Sequence, residues 1–254
     1  MTAAAEHYDR LLAEHLTWML GGDIEALATA QADLLRRLGL GARPEERATA
    51  VDLGSGSGPQ TLALTRLGYA SVTAVDTSTA LLDELADHAR RSGAGDAVHL
   101  VHSDIRGVLP GLADAGSVAA VVCMGDTLPH LLARSDVVHL VSEVAEALRP
   151  GGSFVVTYRD LTAELHGPDR FMPVRSTADR ILTCFLDYVD DDTVLVHDLL
   201  HTRQQDGWIL TTGSYPKLRL SHRWLSEQCR AAGLAIRHDD AGPGGLRTLH
   251  AVKP

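Results

Sequence analysis

The sequence predicts an α/β fold: a doubly wound, mostly parallel sheet with an N-terminal helical lid and an antiparallel β extension. Three observations carry this. Between Ala48 and Asp160, short apolar segments alternate with helically spaced stripes, the pattern of βαβ units whose strands are covered on both faces. A glycine-rich turn follows the first of those segments, where a strand hands over to a helix. Beyond Asp160 the alternation stops, and successive strand-like runs are joined by turn residues, as in antiparallel hairpins.

The N-terminal part reads as two helices. Asp23 is the expected N-cap of the second, and Ile24, Leu27, Ala28, Leu34, Leu35 and Leu38 keep helical spacing, with Gln31 interrupting the stripe. Gly39 and Gly41 stop it, and a short polar connection holds Pro44. Strands are expected at 50–53, 72–75, 98–101, 118–123 and 153–157. The helix at 136–148 is the clearest between them: Val137, Leu140, Val141, Val144 and Leu148 form one stripe, which Arg149-Pro150-Gly151-Gly152 ends. Strands at 181–189, 193–202 and 208–212 then follow, separated by Asp190-Asp191-Asp192 and by Asp206-Gly207. A helix at 222–232 ends at Gly233, and 234–237 and 246–252 supply two last strands. The expected organisation is a lid at 1–47, a ligand-binding core at 48–160, and an extension at 161–254 that also completes the core sheet, all in one integrated domain.

Composition narrows the function. A chain of 254 residues suits one large domain or two small ones. Its net charge of -10 argues against a nucleic-acid partner, which needs a positive surface to displace counterions. Apolar residues make up 45% and charged ones 22%, as in ordinary globular chains. The longest apolar run, 118–124, is too short to cross a bilayer, so no membrane partner is expected. The N-terminus carries neither a secretory nor a transit pattern, and the three cysteines (Cys123, Cys184, Cys229) have no metal spacing. A cytoplasmic chain with reduced thiols is the expectation; monomer and homo-oligomer are not distinguished. His197 and His201 are four residues apart in a strand, about 13 Å, too far to share a metal. The Asp190-Asp191-Asp192 run reads as a solvated turn, and no metal site is expected.

The chemistry concentrates at strand ends. Asp52-Leu53-Gly54-Ser55-Gly56-Ser57-Gly58 supplies glycines that turn sharply and let a ligand approach the backbone. The third glycine comes two residues after the second, whereas the dinucleotide fingerprint requires three, which disfavours an NAD-dependent dehydrogenase. Asp76, followed by Thr77, ends the second strand 18 residues beyond Gly58, where a carboxylate can accept from a ribose diol. Ser103-Asp104-Ile105 ends the third strand and Cys123-Met124-Gly125-Asp126 the fourth. All four stations lie at strand C-termini, the ligand edge of an open α/β sheet.

These residues resemble the class I S-adenosylmethionine (SAM)-dependent methyltransferases, with a Rossmann-like sheet, over roughly 48–158. The resemblance implies that Asp52, Gly54, Ser55 and Gly56 face the methionine and ribose end of SAM. It places Asp76, with Thr77 beside it, at the ribose hydroxyls, Asp104 and Ile105 at the adenine, and Met124 and Gly125 beside the sulfonium. S-adenosylhomocysteine would be the product.

A narrower similarity joins Cys123-Met124-Gly125-Asp126-Thr127-Leu128-Pro129-His130-Leu131 and Tyr158-Arg159-Asp160 to glycine N-methyltransferase-like enzymes. It implies that Arg159 holds an acceptor carboxylate. Asp126 and Asp160 replace asparagines of that pattern, which argues against glycine itself. The implied acceptor is a small polar molecule, methylated on nitrogen or oxygen, with Asp126 in its site and His130 as a base whose ordinary pKa of about 6.5 suits neutral pH. A satisfied structural histidine is the other reading of His130. Tyr8 and Trp18 either wall the acceptor site from the lid or pack within the N-terminal helices. The rival from another class is a non-catalytic SAM-binding or sensing module.

Overall fold

The computed structural model describes residues 3–242 and 245–254; Met1 and Thr2 of the expected lid lie outside the described residues. The chain opens as an interrupted helical arm. It consists of α1 (Ala3–His7), a π-helical turn (Tyr8–Leu12), a 3-10 turn (Ala13–His15) and α2 (Leu16–Met19), and it ends at Gly21 and Gly22, both with positive φ. A regular first helix was expected. The interruption lets Leu11, Leu12 and Trp18 pack into one apolar cluster while Tyr8, Leu16 and Leu20 turn toward a cleft. The helix α3 (Ile24–Arg37) follows, with the Asp23 side chain accepting from Ala26 N at 2.9 Å, a cap worth about 1 kcal/mol.

The core elements then alternate. They are β1 (Thr49–Leu53), α4 (Pro59–Arg66), β2 (Ser71–Asp76), α5 (Thr79–Arg91), β3 (Val98–His102), α6 (Leu109–Leu112), β4 (Val118–Cys123), α7 (Arg134–Ala147) and β5 (Leu148–Arg159). β5 starts at Leu148, earlier than the expected 153, because Gly152 takes a close backbone approach to Val118 that carries the pairing back to Leu148. The seven strands of the main sheet run β10-β11-β5-β4-β1-β2-β3, with β1 to β5 parallel. The last two strands are β10 (Ala235–Ala241) and β11 (Leu246–Val252), after α8 (His222–Ala231), and β11 enters antiparallel beside β5. Alternating burial fixes which face each side chain serves. Val137, Leu140, Val141 and Val144 of α7 pack with Leu225 and Cys229 of α8 on one face; Ala32, Leu35, Ala63 and Leu64 of α3 and α4 fill the other. Strand order reverses between β1 and β4, so a crevice opens at their C-terminal ends.

A second sheet, order β6-β7-β8-β9, is wholly antiparallel: β6 (Phe171–Ser176), β7 (Arg180–Tyr188), β8 (Thr193–Gln204) and β9 (Gly207–Leu218). β6 was not expected, because Pro173 and a register shift beside it erase the strand signal at a sheet edge. Leu182, Leu186, Val194, Val196, Leu200 and Tyr215 face the arm, where Leu11, Leu12 and Trp18 complete the cluster. Arg219, almost fully buried, ties this sheet to the main one: its guanidinium donates to the carbonyls of Leu161, Thr162 and Asp190 and lies over the Tyr188 ring. All three cysteines are free, and no described helix is long and apolar enough to cross a membrane.

The arm is seated by polar contacts within this apolar setting. His7 Nε2 lies 2.7 Å from Asp198 Oδ2, both side chains essentially buried, and Cys184 donates to the other carboxylate oxygen at 2.9 Å. Gly213 makes room: a Cβ there would come within 2.4 Å of the His7 ring. His7→Ala removes a buried partner, so we expect a loss of about 3 kcal/mol, at the upper end for an unsatisfied buried group. Urea unfolding of the variant checks this, and a midpoint equal to that of the wild type would contradict it.

Candidate active site

The glycine loop is held open by backbone geometry. Gly54, Gly56 and Gly58 all have positive φ, a conformation that residues with a Cβ rarely adopt. A Cβ on Gly54 would strike Thr127 at 2.3 Å and one on Gly58 would strike Leu85 at 2.0 Å, so these two glycines serve packing. At Gly56 the nearest neighbour is Leu16 of the arm, at 3.1 Å. Gly54 N and Ser55 N donate to Val75 O, and Gly56 N donates to Asp76 Oδ2 at 2.8 Å. The other Asp76 oxygen accepts from Ser78 N at 2.9 Å. Burial raises the Asp76 pKa, opposed by these amide bonds, while Asp9 of the arm adds to the rise.

A cleft opens over this loop. Of the residues expected at the cofactor, Gly54, Ser55, Gly56, Asp76, Thr77, Asp104, Ile105, Met124 and Gly125 line it together. Asp52 does not. It lies buried beneath the loop, where Oδ2 accepts from Thr61 at 2.6 Å and Oδ1 has no partner. Burial, reinforced by Asp76 and only partly offset by Thr61, pushes its pKa up to about 7. Asp104 reaches the cleft wall, but Arg106 closes on its carboxylate from the backbone N–H (2.9 Å), Nε (3.1 Å) and a terminal nitrogen (2.7 Å). Against the opposing effect of burial, those bonds hold Asp104 below the ordinary carboxylate range.

The arm and the segment after β4 make the other end. Tyr8, Leu16 and Leu20 meet Thr127, His130 and Leu131 there. The Tyr8 and His130 rings are 5.4 Å apart, and Tyr215 of β9 stands 5.3 Å from His130 and 5.9 Å from Tyr8. His130 Nε2 is buried with no partner. Burial and the Lys217 cation push its pKa down to about 3, against the pull of Asp126, so the imidazole is neutral at any working pH. The ordinary value near 6.5 expected of a base does not apply.

Three residues expected at the acceptor are elsewhere. Trp18 donates from Nε1 to Thr177 at 3.2 Å and lies under Arg175 and Arg180, anchoring the arm to the second sheet rather than walling the cleft. Arg159 and Asp126 are not in the cleft lining; they bond each other, Asp126 Oδ1 accepting from Arg159 N at 2.9 Å and Oδ2 from its guanidinium at 3.2 Å. Arg159 does not reach the cleft lining, where its expected role as a carboxylate anchor would place it; one guanidinium nitrogen bonds Asp126 instead. Sequence reasoning missed Lys217, Tyr215, Asp198 and His7. Asp198 and Lys217 carried a signal, being charged residues in the inward phase of otherwise apolar strands.

Residues 50–152 match the family model described as a methyltransferase domain. Solved structures align along nearly the whole chain. An S-adenosylmethionine-dependent methyltransferase from Clostridium acetobutylicum has 15% identity and a TM-score of 0.71, with 98% of this chain and 97% of that one covered. SAM-bound CalS10, an amino pentose methyltransferase from Micromonospora echinaspora, has 17% identity and a TM-score of 0.69, covering 95% and 96%. The sugar N-methyltransferase KedS8 from Streptoalloteichus has 17% identity and a TM-score of 0.68, covering 94% and 92%. No curated protein matches by sequence. Residues 50–152 are thus a methyltransferase domain, and the chain as a whole has the class I SAM-dependent methyltransferase fold.

Asp52 generates a pH test. Its raised folded pKa favours the folded state fully below the ordinary value of 3.8, and that contribution is lost as pH rises through about 7. Asp52→Asn keeps an acceptor for Thr61 without the charge. Its urea midpoint should exceed that of the wild type at pH near 8, the gap closing toward pH near 4. A gap independent of pH would rule out the buried carboxylate as its source.

Proposed function

We propose that this chain transfers the methyl group of SAM to a nitrogen or oxygen of a small polar molecule, with the amine of an amino sugar the favoured acceptor. One observation carries the reading: a single cleft is lined by the glycine loop and Asp76 together with His130, whose buried Nε2 has no partner. The residues around the glycine loop fit SAM. Gly54 and Gly56, both at positive φ, line the cleft, Asp76 brings a carboxylate held by two backbone amides to the end of β2, and the Ser55 and Ser57 hydroxyls are buried without partners. Bound SAM supplies an activated methyl on a sulfonium. The chain's task is alignment and exclusion of water, and proximity alone can recover roughly 7–11 kcal/mol of a barrier.

On this reading the arm is the lid. It closes the cleft with Tyr8, Leu16 and Leu20 while its other side fills the apolar cluster of the second sheet. The acceptor end offers no free charge: Asp126 is matched by Lys217 and Arg159, and Asp198 by His7. That favours an acceptor bound as an uncharged amine or hydroxyl over a carboxylate. The neutral His130 can accept a hydrogen bond from the N–H or O–H of such a group. Two of the structural neighbours are an amino pentose methyltransferase and a sugar N-methyltransferase, which supports an amine on a sugar-like ring. A non-catalytic SAM-binding module would have no use for an unpartnered imidazole at the far end of the cleft.

Two results should follow. Asp76→Ala should weaken SAM about 10- to 100-fold by calorimetry, since each charge-assisted hydrogen bond is worth about 1.5–3 kcal/mol; an unchanged affinity in the folded variant would remove Asp76 from the cofactor site. For amine acceptors, kcat/KM should rise with pH as each amine loses its own proton, so the midpoint moves with the basicity of the amine. His130→Ala should lower turnover by a factor independent of pH. A midpoint fixed near 6.5 for every acceptor would instead make His130 the titrating base.

A further inference from the structure

Lys217 lies in β9, outside the matched domain, and its ammonium is buried. The chain has only two lysines among 23 basic residues, so a compact ammonium here is a local feature rather than a habit of composition. Nζ donates to Asp126 Oδ2 at 2.7 Å, with 8% of Lys217 and 5% of Asp126 exposed. Gly125 and Asp126 have φ of 76° and 74°, two successive left-handed residues that swing the chain out of β4 and into the 3-10 turn ending at His130. Asp126 is the non-glycine of the pair, so this geometry needs support from outside. Three bonds to β5 provide part of it: Gly125 N to Thr157 Oγ1, Asp126 N to Thr157 O, and Arg159 N to Asp126 Oδ1. Lys217 provides the rest from the opposite sheet. Tyr215, two residues earlier on the same face of β9, sets its ring against His130.

We propose that Lys217 is a positioning residue for methyl transfer, holding through Asp126 the turn that presents His130 to the acceptor. This rests on the methyl-transfer reading above and names a residue of the second sheet as part of its machinery. The groups facing His130 are His7 and Tyr8 from the arm, Asp126 from its own loop, and Tyr215 and Lys217 from β9; Asp198 stands behind His7, and Arg159 is bonded to Asp126. Of these, Lys217 is the cation that most disfavours a proton on His130, and Asp126 is the anion that favours one. Removing Lys217 alone therefore loosens the turn and raises the His130 pKa, while burial, the larger cause, still holds it below the ordinary value.

The test uses the full chain with ¹³C-labelled histidine, the His130 signal being assigned by its loss in His130→Gln. In the wild type its Cε1–H resonance should stay flat across neutral pH. In Lys217→Met its acid midpoint should move upward from that of the wild type, burial still keeping it below the ordinary value of about 6.5. The paired variant Asp126→Asn with Lys217→Met strands no buried charge and so stays foldable where the single variant does not. Its kcat should fall about 100-fold, the scale for a misplacement near 1 Å, with SAM affinity within about twofold of the wild type. A folded paired variant with kcat within about twofold of the wild type overturns the proposal, as does a His130 midpoint in Lys217→Met equal to that of the wild type. A wild-type chain that binds SAM yet methylates no amine or hydroxyl overturns the functional reading instead, while the titration still decides whether Lys217 governs His130.

Discussion

A carboxylate with no water around it must find its counter-charges within the protein, and Asp126 finds them on two different elements. Its oxygens accept from the backbone and guanidinium of Arg159 at the end of β5 and from the ammonium of Lys217 in β9. Taking such a group out of water is expensive, and only the full set of partners offsets it. The two cations keep its pKa below the ordinary range despite the opposing effect of burial. The arrangement therefore holds only when the main sheet and the antiparallel sheet are in register with each other. Arg219 makes the same demand two residues on, reaching from the end of β9 to the carbonyls of Leu161 and Thr162 in the connection between the sheets and to that of Asp190 in the β7–β8 turn.

From that junction the division of labour follows. The parallel strands end on one edge, and the reversal between β1 and β4 leaves the crevice where the glycine loop and Asp76 meet. The acceptor end is built differently, from side chains delivered by three separate parts of the chain: Tyr8 from the arm, His130 after β4 and Tyr215 from β9. The arm belongs to both ends. Its Leu16 lies against Gly56, and its His7 bonds to Asp198 beneath the aromatic rings. An arm seated this way is part of the core of the second sheet, so displacing it disturbs the apolar cluster of Leu182, Val194, Val196 and Leu200.

The legible parts of the sequence were those governed by local rules. Strand–helix alternation, the glycine turn, the Asp23 cap and the hairpins each depend on a few neighbouring residues, and they appear where expected. So does the row of cleft residues at strand ends, from Gly54 to Gly125. What escaped depends on contacts between residues far apart in the chain. Arg159 and Asp126 look like acceptor residues in sequence, yet the fold bonds them to each other, outside the cleft lining. Trp18 looks like a wall and is an anchor, because Thr177 and two arginines meet it from a hairpin more than 150 residues away. β6 was invisible because Pro173 breaks its pattern. His130 was placed correctly as to position, but its charge state follows from burial and from Lys217, neither of which is local.

The pairing of every charge around the acceptor end bears on the chemistry. An amine attacks only through a free lone pair, so a chamber that stabilised the ammonium form would hold the acceptor in its unreactive state. A free carboxylate beside the acceptor would do that; here Asp126 and Asp198 are both committed to cations or donors of the chain. A free cation would instead recruit acidic molecules, and Lys217 and Arg159 are committed in turn. What is left in the lining there is Tyr8, Leu131 and His130, whose buried Nε2 has no partner, in surroundings that penalise any unpaired charge. On the proposed reading such a chamber would select the uncharged form of an amine without needing a strong base, and burial of His130, which weakens it as a base, would then be an asset rather than a defect.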